Sequence, residues 1–356
     1  MPTRNFWRDR RVLITGHTGF KGAWLCVFLR MLGARVHGIS RDVPTQPNLF
    51  ELANIAAICH SEFEDIRNLD KLRALMRAAA PEIVIHCAAQ SLVRESYRVP
   101  LETFETNAVG TANVLQAISA VPSVRAAVVL TTDKCYENPG TFKRFKEEDR
   151  LGGSDPYSAS KACAEIVTHA MRESFFSPSR HASHRVAIAT VRAGNVIGGG
   201  DWAKDRLVPD IMRALIGGQA PQIRNPEMVR PWQHVLDPIH GYLMLAERLW
   251  SNGPSFGGAW NFGPDEGNEW PVRKIVSRVC ELWGAGASWN HVPVDDSARE
   301  SAFLALDSHR SRSELGWKPC MDIDLALQAT TAWYRRYGEG KARALTERQI
   351  EEHLPL

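Results

Sequence analysis

Residues 11–30 read RVLITGHTGFKGAWLCVFLR: a β-branched run, then glycines at 16, 19 and 22, then a helical pattern. Few arrangements constrain a chain more. Glycine lets backbone turn left-handed and lets two backbones touch, but it weakens strands and helices that contain it. Gly16 permits a tight turn off the strand. Gly19 lets backbone approach a pyrophosphate, and Gly22 lets the new helix pack closely on the sheet. The free N–H groups and positive dipole end of that helix then favour phosphate. Strand, spacing and helix together fit a dinucleotide site.

The alternation continues through the first half of the chain. Strands read at 11–15, 35–39, 83–87, 126–131 and 186–191, with helical patterns near 22–32, 69–79, 101–120 and 157–175. Continuous apolar strands separated by helices predict an α/β fold with a doubly wound parallel sheet covered on both faces. Its ligand crevice is expected beyond the carboxyl ends of the strands. After residue 193 the pattern loosens into NVIGGGD, RNPEMVRPWQ and Pro/Trp-rich stretches around 253–271. Helices are expected there near 207–217, 237–250, 271–284 and 323–336. Residues 1–192 are therefore expected to form a dinucleotide-binding domain, with the chain returning to it around 232–262. Residues 193–356 form mainly a smaller C-terminal α/β lobe for substrate.

Composition narrows the function classes. The chain of 356 residues is 44% hydrophobic and 23% charged, with a net charge of +3. That balance offers no footprint for nucleic acid or a membrane surface. No apolar run approaches the length that spans a bilayer. The N-terminal MPTRNFWRDRR lacks the apolar core of a secretory signal. Seven scattered cysteines without a C-x-x-C pair predict reduced thiols and a cytoplasmic setting. His181-x-x-His184 has no carboxylate neighbours, so no metal site is expected.

Three further segments bear on chemistry. In GISRDVPT, Asp42 would bond the adenosine ribose hydroxyls of NAD, whereas Arg41 would suit a 2′-phosphate; the reading leans to NAD. Asp65, in FEDIR, is expected to reach the adenine edge, to cap a helix, or both. In GGSDPYSASKACAE, Asp155 reads as an N-cap and Pro156 as the first helical residue. Tyr157 and Lys161 then share one helix face. A phenol titrating near ~10 is a poor base at neutral pH. A nearby ammonium and a helix N-terminus predict a lowered value. Tyr157 would then exchange a proton with a substrate hydroxyl while hydride moves to or from nicotinamide.

TGHTGFKG together with YSASK resembles the extended short-chain dehydrogenase/reductase family, whose members modify nucleotide-activated sugars. The resemblance covers nearly the whole chain and implies a Rossmann fold with bound NAD. It places Thr18, Phe20 and Lys21 beside the cofactor with Gly16, Gly19 and Gly22. Ile66 beside Asp65 joins them, with Ala88, Ala89 and Gln90 of HCAAQSLV and Thr106 of ETN. It assigns substrate binding to Ser91, Asn195, Arg206, Arg230 and Arg299. After the fifth strand the chain reads LTTDKCY, and the family's 4,6-dehydratases carry an acid there, most as an Asp-Glu pair. Here it is Asp-Lys. The resemblance thus implies dehydration of a nucleotide sugar, CDP-glucose or another such as GDP-mannose, for bacterial deoxy-sugar synthesis. Thr132 would bond the C4 hydroxyl, with Tyr157 and Lys161 serving oxidation, and Asp133 would protonate the departing C6 hydroxyl. Lys134 stands where the usual Glu would be the C5 base, a role that requires a lowered pKa, to which Lys161 could contribute charge. DDSARESAF, around Arg299, departs from the family pattern. A homodimer, or a homotetramer, is expected through helices 101–120 and 157–175.

Overall fold

The computed structural model describes residues 1–140, 142–292, 303–338 and 340–354. Seven strands form the main sheet: β1 Arg11–Thr15, β2 Arg35–Ser40, β3 His60–Phe63, β4 Ile83–His86, β5 Ala126–Leu130, β6 Ala187–Ala193 and β7 Gly258–Phe262. Their order is β7-β6-β5-β4-β1-β2-β3, and every neighbouring pair is parallel. The longer helices are α1 Phe20–Met31, α2 Leu69–Ala79, α3 Gly110–Ile118, α4 Pro156–Phe175, α5 Leu207–Ile216, α6 Leu236–Asn252, α7 Val272–Trp283, α8 Ile323–Arg336 and α9 Ala342–His353.

Alternation along the strands sorts the core into two layers. Val12, Ile14, Ile83, Ile85 and Val128 join a cluster with Trp24 and Phe28 of α1 and Leu243 of α6. Leu13, Val84 and Val129 face the other way, against Leu72 and Met76 of α2 and Val114 and Leu115 of α3. Both faces are covered, which is why these strands read as unbroken apolar runs. The sheet is a doubly wound Rossmann sheet. Its strand order reverses between β1 and β4, so the crevice opens beyond Thr15 and His86.

Beyond β6 the chain leaves the sheet to build a three-stranded sheet from Asn195–Ile197, Val229–His234 and Glu269–Pro271. Between the last two it returns, laying α6 on the main sheet and adding β7 at its edge. Helices α7 and α8 pack together in the smaller lobe.

The expected helix over 101–120 is interrupted. Pro100–Phe104 is α-helical, Glu105–Val109 widens into a π-turn, and the α-helix resumes at Gly110. Such wider turns gather at functional sites because they re-aim one side chain. Here that side chain is Asn107, whose Nδ2 donates to Gln90 O at 2.9 Å and Ser160 Oγ at 2.8 Å.

Gly22 marks a close approach of backbone to backbone. A Cβ built there would lie 2.2 Å from the carbonyl oxygen of Gly16. Gly22→Ala should therefore destabilise the fold by about 1–3 kcal/mol through overpacking, read as a lower midpoint in thermal or urea unfolding.

Candidate active site

The glycine turn is built by contact between backbones. Gly16 has φ +76°, and a Cβ there would sit 2.6 Å from Ala88 N, at the exit of β4. Gly19 differs. Its Cβ would meet nothing closer than Gly16 O at 3.4 Å, so no part of the protein requires glycine there. It stands at the start of α1, where no side chain caps the helix. Uncapped N–H groups beside open space fit a pyrophosphate, and Thr106 Oγ1, on the helix facing this crevice, is buried without a partner. The turn thus fits a dinucleotide.

Other residues expected at the cofactor are more committed. Thr18 Oγ1 donates to Asp42 O at 2.7 Å, while the Asp42 carboxylate accepts from Arg41 Nε at 2.8 Å. The two groups weighed for ribose and 2′-phosphate are therefore paired with each other. Asp65 accepts from Arg67 through its backbone N at 2.9 Å, Nε at 3.0 Å and Nη2 at 2.7 Å. It does not cap α2; Asn68 does, accepting from Lys71 N. The helix begins at Leu69, too far along for Asp65 to reach its N–H groups, and Asp65 closes the preceding turn instead. Ile66 turns into the core beneath Gly110. The Gln90 side chain is held by Leu92 and Thr103, whereas Ala88 and Ala89 line the exit of β4 with their backbone, Ala88 N donating to Thr15 Oγ1 at 3.3 Å.

His17 escaped the sequence reading. It is buried, with Nδ1 2.8 Å from Ser40 Oγ and Nε2 2.8 Å from Ser61 Oγ, and burial lowers its pKa to about 4. It ties the carboxyl end of β2 to β3. The signal was Gly38, inside a strand, where a Cβ would lie 2.2 Å from the imidazole.

Next to this turn lies a cavity of about 910 Å³, lined by Phe20, Lys21, Ser91, Thr132, Asp133, Lys134, Tyr157, Asn195, Arg206 and Arg230. The cavity thus gathers the residues expected to act on and hold substrate, except Lys161, which does not line it, and Arg299, which lies outside the described residues. Thr132 Oγ1 donates to Asp133 Oδ1 at 3.0 Å and accepts from Lys134 N at 3.3 Å. The Tyr157 phenol lies close to Thr132 on the same cavity. Asp133 is only 3% exposed, and its Oδ2 has no partner. Burial pushes its carboxyl up, against the opposing charges of Lys134, Arg230 and Lys21. A buried carboxyl on a residue that lines a cavity, with one oxygen unused, is poised to deliver a proton.

The expectation of a lowered Tyr157 pKa is corrected. Burial pushes the phenol up to about 12, although the Thr132 hydroxyl and the Arg206 charge pull the other way. Lys161 does not turn its ammonium to the phenol; Nζ donates to Leu130 O at 3.0 Å. Burial and the charge of Lys21 lower Lys161 to about 8, and burial with Arg206 lowers Lys21 to about 8. Desolvation outweighs the charge pairing that spacing predicts. Asp155 does cap α4, its Oδ1 accepting from Ser158 N at 2.9 Å.

On the substrate side, Arg206 spans the cleft between lobes, with Nη1 3.0 Å from Asp201 Oδ2 and Nη2 3.0 Å from Ser91 Oγ. Arg230 is buried on the strand that pairs with Asn195–Ile197. Two guanidinium groups on one wall suit a diphosphate. All seven cysteines are unpaired, and no helix among the described residues is long and apolar enough to cross a membrane.

Gly19→Ala should leave the unfolding midpoint within a few degrees of wild type, since the added methyl makes only ordinary contact with Gly16 O. It should lower NAD+ affinity tenfold or more in calorimetric titration; unchanged affinity would place the dinucleotide elsewhere. Lys161 offers a check on burial. Its folded value of about 8 lies below its ordinary 10.5, so between those pH values the unfolded chain holds a proton that the folded chain lacks. Stability contributed by this group therefore rises with pH across that window and is penalised below it. The stability difference between Lys161→Met and wild type should shrink from pH 8 to pH 10.5; a flat difference would mean that Lys161 is solvated.

The comparisons with known proteins agree with this geometry. A family model described as GDP-mannose 4,6 dehydratase matches residues 13–330. A CDP-glucose 4,6-dehydratase of Salmonella typhimurium is 44% identical over 355 residues, covering 99% of each chain. Among solved structures, a dTDP-glucose 4,6-dehydratase of Bacillus anthracis in complex with NAD superposes with a TM-score of 0.75 at 21% identity, covering 94% of this chain and 99% of that one. A dTDP-glucose 4,6-dehydratase of Streptomyces venezuelae, with NAD and TYD bound, gives 0.75 at 24% identity, covering 94% and 99%. With its fold, its Thr-Asp-Lys turn and its tyrosine–lysine helix all in place, the chain belongs to the GDP-mannose 4,6 dehydratase family.

Proposed function

We propose that the chain dehydrates CDP-glucose to CDP-4-dehydro-6-deoxyglucose with bound NAD. The observation that carries this reading is Asp133, buried against the cavity with an unpartnered oxygen, one residue from Thr132 and beside Tyr157. An acid has no use in plain oxidation or epimerisation at C4, but elimination of a hydroxyl needs one. The 44% identity with the Salmonella enzyme supports CDP-glucose as substrate.

Bound NAD+ supplies the hydride acceptor for C4 and, once reduced, the hydride donor for C6. Thr132 and Tyr157 hold the C4 hydroxyl, and Tyr157 accepts its proton. Burial makes the phenolate a stronger base and opposes its formation; Thr132 and Arg206 work against that opposition. The C4 ketone acidifies C5–H. Lys134, beside the acid, takes that proton; the C–H electrons form the C5–C6 double bond; the C6–O bond breaks, and Asp133 protonates the departing hydroxyl to water. Arg206, Arg230 and Asn195 hold the diphosphate, and Ser91 shares Arg206. Asp42 rather than Arg41 serves the ribose, so NAD is preferred to NADP.

The enzyme works in the cytoplasm as a homodimer, in a route to deoxy sugars of a surface polysaccharide. Leu101 (77% exposed), Val109 (53%) and Ile166 (56%) support pairing, because they lie on packed neighbouring helices and a two-fold interface would cover them. Incubation with CDP-, dTDP-, UDP-glucose and GDP-mannose, followed by mass spectrometry for loss of water, tests the reading. Preference for GDP-mannose, the substrate named by the family model, would overturn the choice of base while keeping dehydration.

Asp133→Asn should slow elimination at least tenfold more than C4 oxidation, so that reduced cofactor accumulates in a rapid-mixing trace. Equal slowing of both steps would remove Asp133 as the acid. In wild type, solvent deuterium should enter C5 of the product. Lys134→Met should lose that label together with turnover while still binding NAD+; retained label would assign the C5 base to another group.

A further inference from the structure

The turn that carries Thr132, Asp133 and Lys134 is tied at both ends to one buried ion pair. Glu165 lies on α4, one helical turn beyond Lys161, and Arg192 lies on β6. Their side chains are each 4% exposed and meet at 2.8 Å. The Glu165 carboxylate accepts from Arg192 Nε at 2.9 Å, from Thr190 Oγ1 at 2.7 Å, and from Thr131 Oγ1. Arg192 Nη1 donates to Tyr136 OH at 2.7 Å and Glu147 O at 3.0 Å, and the guanidinium lies 4.8 Å from the Tyr136 ring centroid. The carboxylate thus holds the residue before Thr132, and the guanidinium holds the residue after Cys135. Tyr136 OH passes the tether on to Asn261 Oδ1 of β7 at 2.8 Å.

A buried ion pair is poor evidence of stabilisation, because apolar side chains of similar volume often serve a core as well. What the pair supplies is direction. Its four carboxylate bonds and its guanidinium fork admit one arrangement, which sets the positions of both anchors of a short turn.

Resting on the dehydratase reading, we propose that Glu165 and Arg192 are positioning residues for the elimination step, acting through Thr131 and Tyr136 to hold Asp133 against the cavity. Oxidation at C4 keeps Tyr157, which is carried by α4, and shares only Thr132 with the turn, whereas elimination needs both Asp133 and Lys134 of the turn, so elimination feels the tether more. Asp133 faces Lys134 on its own turn, Lys21 of α1, Tyr157 of α4, Arg230 of the smaller lobe and Tyr242 of α6. A turn freed at one end lets Asp133 reach water, which moves its titration down toward the ordinary carboxylate range. Since the acid must be protonated, the alkaline limb of elimination then moves to lower pH.

The experiment uses Thr131→Val and Tyr136→Phe, each cutting one tether while leaving the ion pair, with Glu165→Gln as a third variant; melting curves confirm folding. In the holoenzyme with CDP-glucose, C4 oxidation should stay within about threefold of wild type. Elimination should slow tenfold or more, as small misplacements of a catalytic group do. Reduced cofactor should accumulate, and the alkaline limb should shift down. Parallel slowing of both steps, or an unmoved pH limb, in folded Thr131→Val and Tyr136→Phe overturns the positioning role and leaves the functional reading standing. A wild type that removes water from no nucleotide sugar overturns both.

Discussion

The backbones of Gly16 and Ala88 run so close that no side chain fits between them, and much of the active site follows from that closeness. Gly16 leaves β1 and Ala88 leaves β4, the pair at which the sheet reverses its strand order. Bringing them together aims the start of α1 across the mouth of the crevice. Gly22 then seats the helix on the turn itself. Behind this contact Thr15, His86 and Thr111 form a buried chain, with Thr15 Oγ1 2.6 Å and Thr111 Oγ1 3.0 Å from the imidazole. Burial lowers His86 to about 3, so it stays neutral and serves as a spacer. From this frame Phe20 and Lys21 project into the cavity that also holds Asp133 and Tyr157.

Burial, more than pairing, sets the proton chemistry of that cavity. It lowers Lys21 and Lys161 to about 8 and raises Tyr157 to about 12 and Asp133 in the same direction. Desolvation disfavours charge of either sign, so four groups are all driven toward neutrality. The consequence is functional. A neutral carboxyl can give a proton and an amine near neutrality can shed its charge, whereas fully ionised groups on the surface would do neither. The opposing charges of Lys134 and Arg230 keep Asp133 from being held too tightly protonated.

Much of this could be read from the residues. The central strands declare themselves because both faces are buried, and the glycine turn and the Asp155 cap are local patterns. The edge strands are quieter. β3 reads HSEF and is nowhere fully buried, so it lacks an apolar run, and β7 is five residues isolated by a long excursion. The π-turn at Glu105–Val109 leaves no mark in composition, so Asn107 was legible only as part of a helix. Spacing placed Lys161 beside Tyr157 but could not weigh desolvation, which reversed the sign of the Tyr157 shift. Asp65 and Asn68 are both fair capping residues, and only the start of α2 decides between them. Glu165 and Arg192 are 27 residues apart on different elements, with nothing local to join them.

Arg206 joins the two lobes, and on the reading proposed for it also holds the substrate. Its guanidinium already holds Asp201 of its own lobe and Ser91 of the loop beyond β4, and it stands at the first turn of α5. A diphosphate that reaches it meets a cation whose charge is partly answered, so the gain is an exchange of anionic partners rather than a fresh pairing. Five donors in a rigid fork allow that exchange to be partial. The bond to Asp201 can persist while the edge that faces Ser91 turns to phosphate. Binding would then loosen a link between lobes at the moment the substrate itself bridges them. The protein can thus admit a large ligand without leaving its cavity walls unsupported before or after.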